Sequence, residues 1–359
     1  MKERYSKGVW DSGGGLRGAC RRALLFCLAA CAVLTACGGG KEAQEVESLR
    51  IGVSLYRGDD TFINNIRSEL EQKAKEYEQE TGVRLHMDIQ DAKGSQNTQN
   101  NQVERFISLG CDVLCINMVD RTNVSLIIDK AMAAGVPVLF FNRQPVEEDM
   151  NRWDQLYYLG VDPKESAVLQ GEILVDLYRE HPEQVDLNGD GVISYVQLEG
   201  ESSHQDALIR TEWSVRTMRD NGVPVEKLTG GIANWERSQA SALMEQWLEK
   251  YPDQIELVIS NNDDMALGAI DAMDRAGVRD INLLGIDGTV PGIEAVDSGK
   301  LLGTVASDKE EFAEVMLGIA IAKAKGEPLP DGITLEEGKY YWCGQDVVKR
   351  DEDKVIKNK

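Results

Sequence analysis

The sequence has few of the residues on which many enzymes and nucleic-acid-binding proteins depend. Three of its 359 residues are histidines, which leaves little for a zinc or catalytic site built on imidazole. Lysine and arginine together number 39 against 61 aspartates and glutamates, for a formal net charge of −22. Because nucleic-acid binding needs a basic surface, this balance argues against a nucleic-acid partner. It suits a well-solvated exported protein.

Cysteine is also scarce in the part of the chain that would fold. Four of the seven cysteines are at positions 20, 27, 31 and 37, which leaves Cys111, Cys115 and Cys343. Cys111 and Cys115 fall in a strand-like run, where a separation of four residues spans about 13 Å. A disulfide needs Cα atoms within about 7 Å of each other, so we expect no bridge between these two. The fold is not expected to depend on disulfides.

Long apolar runs are absent as well, and a membrane span takes about 20 residues. The apolar segment Ala23–Val33 is shorter than that and follows Arg17, Arg21 and Arg22. Positive charge, then a short apolar run and then small residues is the pattern of a secretory signal peptide. We therefore expect residues 1–36 to be a signal peptide and the remainder to be exported.

The residues after the apolar run, Leu34-Thr35-Ala36-Cys37, resemble the lipobox of bacterial lipoproteins. The resemblance implies that Cys37 becomes a lipidated N-terminus, which anchors a soluble domain to a membrane without spanning it. Residues 37–48 would then form a short polar tether. The alternative is a plain signal peptide in which the cysteine is incidental.

From Leu49 onward, short β-branched runs alternate with longer helical patterns. Such alternation is typical of parallel sheets with helices on both faces, and the chain is long enough for two domains. We predict an α/β protein with two Rossmann-like lobes, joined by a three-segment hinge near Asn142, Ser307–Asp308 and Leu335–Lys339. The N-terminal lobe would comprise residues 49–142 and 308–338, and the C-terminal lobe residues 143–307 and 339–359.

Polar side chains come just after several of the predicted strands. In open α/β sheets, ligands bind beyond the carboxyl ends of the strands. Sugar hydroxyls both donate and accept hydrogen bonds, so carboxylates, amides and arginine suit them, while aromatic rings cover the apolar faces of a sugar. The strand ends provide this mixture of residues: Asp60, Phe62, Asn117, His204, Asp206, Arg210, Trp235, Asn262 and Asp287.

Some of these residues also have a purely structural explanation. Asp60 and Asn262 come before helical patterns and are suitable N-caps. A tryptophan such as Trp235 packs in a core more often than it binds a ligand. Their joint placement at strand ends is what favours a binding site.

Taken together, these segments resemble the bacterial D-galactose/D-glucose-binding proteins, the soluble receptors of sugar ABC importers. The resemblance covers nearly all of the chain from Leu49 to Val348. The stretches that carry it are Ile51-Gly52-Val53-Ser54-Leu55-Tyr56, Asp59-Asp60-Thr61-Phe62, Ile116-Asn117-Met118-Val119-Asp120, Val138-Leu139-Phe140-Phe141-Asn142, His204-Gln205-Asp206, Arg210-Thr211, Ile259-Ser260-Asn261-Asn262-Asp263 and Gly285-Ile286-Asp287.

The resemblance implies a type I periplasmic binding protein fold and a receptor that is not an enzyme. Phe62 and Trp235 would sandwich the sugar, and the polar residues given above would hydrogen-bond it. The family carries a ligand-binding asparagine where this chain has Ser307, whose shorter side chain would lose a hydrogen-bonding pair or replace it with water. The implied partners are a monosaccharide, ABC transporter permease subunits and the extracytoplasmic face of the cell membrane. A chemoreceptor is a further candidate partner, and a monomer is expected.

The segment Asp186–Ser194 has the pattern of a calcium loop, with oxygen-bearing side chains at alternate positions and a glycine at the sixth. Its twelfth position is Gln197 rather than glutamate, so the local bidentate ligand is missing. The resemblance implies that a remote residue, Glu256, completes a structural Ca²⁺ site. The alternative is a bare turn rich in Asp and Asn. The expected ligands are Asp186, Asn188, Asp190, the Val192 carbonyl, Ser194 and Glu256.

Two other functions compete with the galactose or glucose receptor. A receptor for a pentose or another sugar would share its architecture. A glycosidase could use Asp60 with Asp206 or Asp287, but we expect Arg210 to keep Asp206 ionised, which is unsuitable for a general acid. A transcriptional sensor is disfavoured because no basic helix-turn-helix precedes the lobes.

Overall fold

The structure is a computed structural model that describes residues 47–350. The expected signal peptide, Cys37 and most of the expected tether lie outside the described residues. Within residues 47–350 the chain forms two α/β lobes, each built on a six-stranded sheet. The predicted pair of Rossmann-like lobes is therefore confirmed.

The first lobe contains a parallel sheet with helices on both faces. Its strands are β1 (Ser48–Leu55), β2 (Arg84–Asp91), β3 (Val113–Ile116), β4 (Val138–Phe141), β5 (Leu156–Val161) and β11 (Tyr340–Cys343), in the order β11-β5-β4-β3-β1-β2. Its helices are α1 (Thr61–Thr81), α2 (Gln96–Ser108), α3 (Ser125–Ala134), α4 (Glu147–Met150) and α10 (Lys309–Lys325).

The second lobe repeats this plan with one antiparallel edge strand. Its strands are β6 (Ile193–Glu199), β7 (Val225–Ile232), β8 (Leu257–Ser260), β9 (Asn282–Asp287), β10 (Gly303–Ser307) and the antiparallel β12 (Gln345–Lys349), in the order β12-β10-β9-β8-β6-β7. Its helices are α5 (Pro163–Glu180), the 3₁₀ turn Pro182–Gln184, α6 (Gln205–Asp220), α7 (Arg237–Lys250), α8 (Asp263–Ala276) and α9 (Val290–Asp297).

Local sequence explains why these elements form where they do. Asp60 caps the N-terminus of α1, because its carboxylate accepts a hydrogen bond from the Ile63 amide. The buried residues of α1 recur every three or four positions, which gives the helix one apolar face. Gly82 ends the helix at a φ of 75°, which glycine adopts without a Cβ clash.

Strand β4 is fully buried and contributes side chains to the hydrophobic clusters on both faces of the sheet. All four of its residues are buried. Leu139 and Phe141 pack in the cluster that contains α1 and α10, whereas Val138 and Phe140 pack with α2 and α3 on the other face. A continuous apolar run is what a parallel strand with helices on both faces requires.

The predicted lobe boundaries at 142 and 338 are wrong. Strand β5 pairs with β4 in the register Val138↔Leu156, so residues 143–161 belong to the first lobe and the chain first crosses after Val161. Residues 339–359 do not all belong to the C-terminal lobe, because β11 lies in the first sheet and only β12 joins the second, so the last crossing is at Gly344. Local sequence determines that a strand forms, but long-range pairing determines which sheet it joins.

Three further findings concern the described residues alone. None of their helices is long and apolar enough to cross a membrane. Cys111, Cys115 and Cys343 are buried free thiols, which confirms that Cys111 and Cys115 form no bridge. The middle crossing between the lobes lies between Ser307 and Lys309.

Candidate functional site

A small cavity lies between the lobes, where loops follow the carboxyl ends of strands in both sheets. Its volume is 30 Å³, which is room for about two water molecules. Since both lobes enclose it, they must part to admit anything as large as a hexose. The residues that line it are Tyr56, Asp60, Phe62, Ile63, Asn142, Arg143, His204, Asp206, Arg210, Trp235, Asn262 and Asp287.

Eight of the ten residues predicted for sugar binding line this cavity, and Asn117 and Ser307 do not. Sequence reasoning missed four lining residues, Tyr56, Ile63, Asn142 and Arg143. Tyr56 and Asn142 directly follow β1 and β4, so the strand-end criterion alone would have found them. Arg143 comes one residue later.

On the first lobe, Asp60 is the predicted helix cap and also lines the cavity. One carboxylate oxygen caps α1, and the other accepts a 2.5 Å hydrogen bond from the Tyr56 hydroxyl. Burial raises the pKa of Tyr56, and the Asp60 carboxylate raises it further, so the hydroxyl stays protonated and donates. Phe62 follows in the first turn, with its ring packed edge-on against Phe312 at 6.5 Å.

Asn117 is buried beneath the cavity rather than in its wall. Its side-chain oxygen accepts from the Tyr56 amide at 3.3 Å, and its side-chain nitrogen donates to the Phe141 carbonyl and to the Asn142 side chain at 3.2 and 3.0 Å. Asn117 is 0% exposed. In this closed arrangement its polar groups position two lining residues, Tyr56 and Asn142.

Arg143 is a buried guanidinium that reaches across the cavity. It lies over the Tyr56 ring, 3.6 Å from the ring centre, and donates to the Val119 carbonyl at 3.1 Å. Its two terminal nitrogens also donate to both oxygens of Glu201 in the second lobe, at 2.8 and 2.9 Å. A forked pair of this kind is directional as well as electrostatic.

The second lobe supplies a group of buried charges around Arg210. The Arg210 guanidinium donates to the Asn261 carbonyl at 2.9 Å. It lies 3.9 Å from a carboxylate oxygen of Asp206 and 3.6 Å from one of Asp287. Its Nε is buried and has no hydrogen-bond partner among the described residues. One guanidinium thus lies close to two carboxylates, and its Nε–H is available to donate a further hydrogen bond.

Burial opposes the effect that Arg210 was expected to have on the ionisation of Asp206. Burial raises the pKa of Asp206 to about 6, and this outweighs the opposing effect of Arg210, Arg143 and Arg121. Burial likewise raises the pKa of Asp287 well above its usual range, against the influence of Arg210. The spacing of Asp206 and Arg210 was visible in the sequence, whereas the loss of water around them was not.

His204 is a neutral imidazole at the start of α6. Its Nδ1 accepts a 3.1 Å hydrogen bond from the Asp206 amide, which caps the helix. Burial lowers the pKa of His204 well below its usual value, and Arg143 and Arg210 lower it further. A neutral ring that accepts at Nδ1 carries its proton on Nε2, so His204 can donate one hydrogen bond to a ligand.

Trp235 lines the cavity and also belongs to the core of the second lobe. It is 9% exposed, and its ring meets that of His204 edge-on at 5.1 Å. A Cβ on Gly200 would lie 2.2 Å from the Trp235 ring, so glycine is required beneath it. The indole nitrogen has no partner among the described residues. Trp235 therefore packs in the core, and its place in the cavity lining leaves the predicted contact with a ligand as a prediction.

Of the predicted residues Asn262 and Ser307, only Asn262 lines the cavity. Asn262 lines the cavity and caps α8, because its side-chain oxygen accepts from the Met265 amide at 3.0 Å. Ser307 ends β10 opposite Gln345, at the crossing between the lobes, and lies outside the cavity lining. The Ser307 hydroxyl has no partner among the described residues.

The loop Asp186–Ser194 folds around the remote carboxylate of Glu256. Glu256 is 2% exposed, and its oxygens accept from the amides of Leu187 and Ser194 at 2.7 Å and of Asn188 at 3.1 Å. None of the ion pairs among the described residues includes it. Asp186, Asn188 and Asp190 bond to amides within the loop. Within residues 47–350, no group of three or more His, Cys, Asp or Glu side chains is gathered as metal ligands.

Comparison with known proteins agrees with this geometry. A periplasmic binding protein domain matches residues 51–328. The D-galactose/methyl-galactoside-binding periplasmic protein of Haemophilus influenzae is 33% identical over 83% of this chain and 88% of its own length. A putative rhizopine-binding protein of Rhizobium meliloti is 31% identical over 77% of this chain and 85% of its own.

Among solved structures, an ABC transporter solute-binding protein of Bacillus halodurans with bound myo-inositol superimposes with a TM-score of 0.70. It is 27% identical, and the match covers 87% of this chain and 98% of that one. The fold, the enclosed polar cavity and these matches agree with one another. The chain belongs to the periplasmic binding protein family, as an extracytoplasmic sugar-binding component of an ABC transporter and not as an enzyme.

Proposed function

We propose that this protein binds D-galactose or D-glucose and delivers it to the permease of its transporter. The observation that carries the proposal is the lining of the cavity. Asp206, Asp287 and Asn262 offer hydrogen-bond acceptors, Arg210 and His204 offer donors, and Phe62 and Trp235 supply aromatic surface. This is the mixture that a pyranose with many hydroxyls needs. The galactose-binding relative, at 33% identity, supports the same choice.

Ligand capture would follow from the distribution of the polar groups. A sugar that enters the open cleft would replace the water around Arg210, Asp206 and Asp287. Closure of the first lobe would then remove the remaining water, which strengthens each of these hydrogen bonds. Domain closure of this kind around a ligand is a hinge motion, and the closed form is what a permease would recognise.

The competing proposal is a receptor for another monosaccharide or a polyol. It is supported by the relatives, because one is described as rhizopine-binding and a solved neighbour holds myo-inositol. Calorimetric titration with D-galactose, D-glucose, D-xylose, D-ribose and myo-inositol separates the two. Tight one-to-one binding of galactose or glucose is expected. Heat only from a pentose or the polyol would reject the hexose assignment in favour of the alternative.

We also propose that the loop Asp186–Ser194 binds a structural Ca²⁺. Its donors are all oxygens, and the buried Glu256 carboxylate reaches it from 62 residues beyond Ser194 without a cationic partner among the described residues. The ligands would be Asp186, Asn188, Asp190, the Val192 carbonyl, Ser194 and Glu256. Bound calcium would hold the loop against the start of β8. The melting temperature should fall on addition of chelator and recover with Ca²⁺, and an unchanged melting temperature would reject the site.

Membrane attachment at Cys37 completes the proposed function. Lipidation there would keep the receptor close to its transporter. Metabolic labelling with a radioactive fatty acid should mark the protein, and Cys37→Ser should abolish the label. Label retained in that variant would reject Cys37 as the anchor.

A further inference from the structure

Several side-chain contacts connect the lobes, and three of them are made beside the cavity by arginines of the first lobe. Arg57 in the first lobe lies 2.7 Å from Glu236 in the second. Arg121 donates to Gln205 at 2.6 Å. Arg143 makes the forked pair with Glu201. Since the partners in each contact come from different lobes, all three break when the lobes part.

The Arg143–Glu201 ion pair is the most enclosed of these contacts. Its side chains are 5% and 23% exposed, against 22% and 33% for Arg57 and Glu236. Exposed pairs contribute little because water and salt screen them. A mostly buried forked pair is screened much less, and the loss of one partner leaves the other charge enclosed and uncompensated.

The first lobe holds Arg143 in position before Glu201 arrives. The Tyr56 ring lies against one face of the guanidinium, and the Val119 carbonyl accepts one of its hydrogens. Both partners belong to the first lobe, so opening does not disturb them. A side chain fixed in advance loses little rotamer freedom when the ion pair forms.

Glu201 has the opposite character. Its carboxylate accepts hydrogen bonds from Arg143 and from no other side chain among the described residues. In the open protein it would be a solvated carboxylate on the loop after β6. The pair therefore contributes free energy to the closed form and none to the open form, and such a difference shifts the balance between the two.

We propose that the Arg143–Glu201 ion pair determines ligand affinity by holding the lobes closed, without Glu201 contacting the ligand. This inference rests on the proposed function, in which closure encloses the sugar. Apparent affinity is the product of binding to the open cleft and the closing equilibrium. A weaker pair should leave association nearly unchanged and speed dissociation.

The test is stopped-flow measurement of sugar association and dissociation for Glu201→Gln, Arg143→Gln and the double variant. Glu201→Gln should raise the dissociation rate by about tenfold or more, with less than about a threefold change in association. The double variant should lose much less than the product of the two single losses, because the second change removes a partner that is already unpaired. An unchanged dissociation rate in Glu201→Gln would overturn the proposal.

The matched control is the pair Arg237–Asp271, which is also forked, at 2.6 and 2.8 Å, but lies wholly within the second lobe. Arg237→Gln and Asp271→Asn should leave dissociation unchanged. If they accelerate it as much as Glu201→Gln does, the effect is a general loss of charge and the proposal fails.

X-ray scattering of the ligand-free protein gives a readout that does not depend on sugar. Glu201→Gln should increase its radius of gyration, because the open form becomes more populated. If the wild type binds none of the five compounds, the proposed function has failed and the scattering alone decides on the ion pair. If the wild type does bind a sugar, an unchanged dissociation rate in Glu201→Gln rejects the role of the ion pair and leaves the sugar assignment intact.

Discussion

The two lobes share a plan but present different chemistry to the cavity. The first lobe contributes polar groups that are mostly occupied, since Asp60 caps a helix and accepts from Tyr56, and Asn142 accepts from Asn117. Its one lining nitrogen that is buried without a partner among the described residues is the Nε of Arg143, whereas the second lobe has two, on Arg210 and Trp235. Buried polar groups without hydrogen bonds cost stability, so the second lobe gains more from a ligand that supplies the missing acceptors. We therefore expect the second lobe to bind the sugar and the first lobe to close over it.

The strongest way to break this comparison is to remove the central cation of the second lobe. Arg210→Ala should weaken galactose or glucose binding by roughly 1,000-fold. The change would leave Asp206 and Asp287 without their shared cationic partner, and it would also remove a hydrogen-bond donor to the sugar. Calorimetric titration measures the loss. Arg216→Ala, on the exposed face of the same helix, should leave affinity unchanged. A loss of less than tenfold in Arg210→Ala would show that the second lobe does not dominate binding.

The matching change in the first lobe should cost less. Phe62→Ala removes an aromatic surface but no charge, so we expect a loss of about 10- to 100-fold in affinity. The loss should appear mainly in dissociation, since the first lobe acts on closure. Phe312→Leu, which alters the ring that Phe62 packs against outside the cavity lining, should lower the melting temperature and spare affinity. A larger loss for Phe62→Ala than for Arg210→Ala would reverse the comparison.

The pH dependence of sugar binding should reflect the ionisation of Asp206 in the second lobe. With the pKa of Asp206 raised to about 6 in the empty protein, a sugar that donates to this carboxylate favours its ionised form. Affinity should therefore fall about tenfold from pH 7 to pH 5, with protons released on binding near pH 6. Titrations in buffers of different ionisation enthalpy measure that release. Asp206→Asn should bind weakly with a flatter profile, and equal slopes in both proteins would contradict the assignment to Asp206.

The folding free energy should depend on Asp206 in the opposite direction. Its pKa is higher in the folded protein than the usual 3.8, so its contribution to stability is fully present below about pH 4 and is lost as the pH rises through about 6. Binding strengthens over the interval in which this contribution disappears. His204 acts on the folding free energy in the opposite direction to Asp206, because its pKa is lowered well below its usual 6.5. As the pH falls through that usual value, the unfolded imidazole takes up a proton that the folded one does not, so stability decreases.

Much of the fold and part of the site could be predicted from sequence, and the failures have physical causes. The apolar run of β4 is visible locally, whereas the sheet that β5 joins depends on pairing with a strand far away in sequence. Asp60 could be recognised as a cap or a ligand, and it is a cap whose other oxygen meets Tyr56. The contact of Arg143 with Tyr56 exists only once two separate strand ends come together. Burial likewise appears only in the folded protein, and it decides the pKa of Asp206.

The smallest expected effect lies at the hinge rather than in either lobe. Ser307 stands where the resembled family carries a ligand-binding asparagine, yet its side chain lies outside the cavity lining, at the end of β10. Ser307→Asn should therefore change hexose affinity by less than about threefold, which is within what one water-mediated hydrogen bond supplies. Titration with galactose and glucose measures this change, and Thr304→Ser on the same strand serves as a control for disturbance of β10. A gain of tenfold or more in affinity in Ser307→Asn alone would mean that the ligand extends from the second lobe to the hinge. Strand β10 would then contribute to sugar binding in addition to the two lobes.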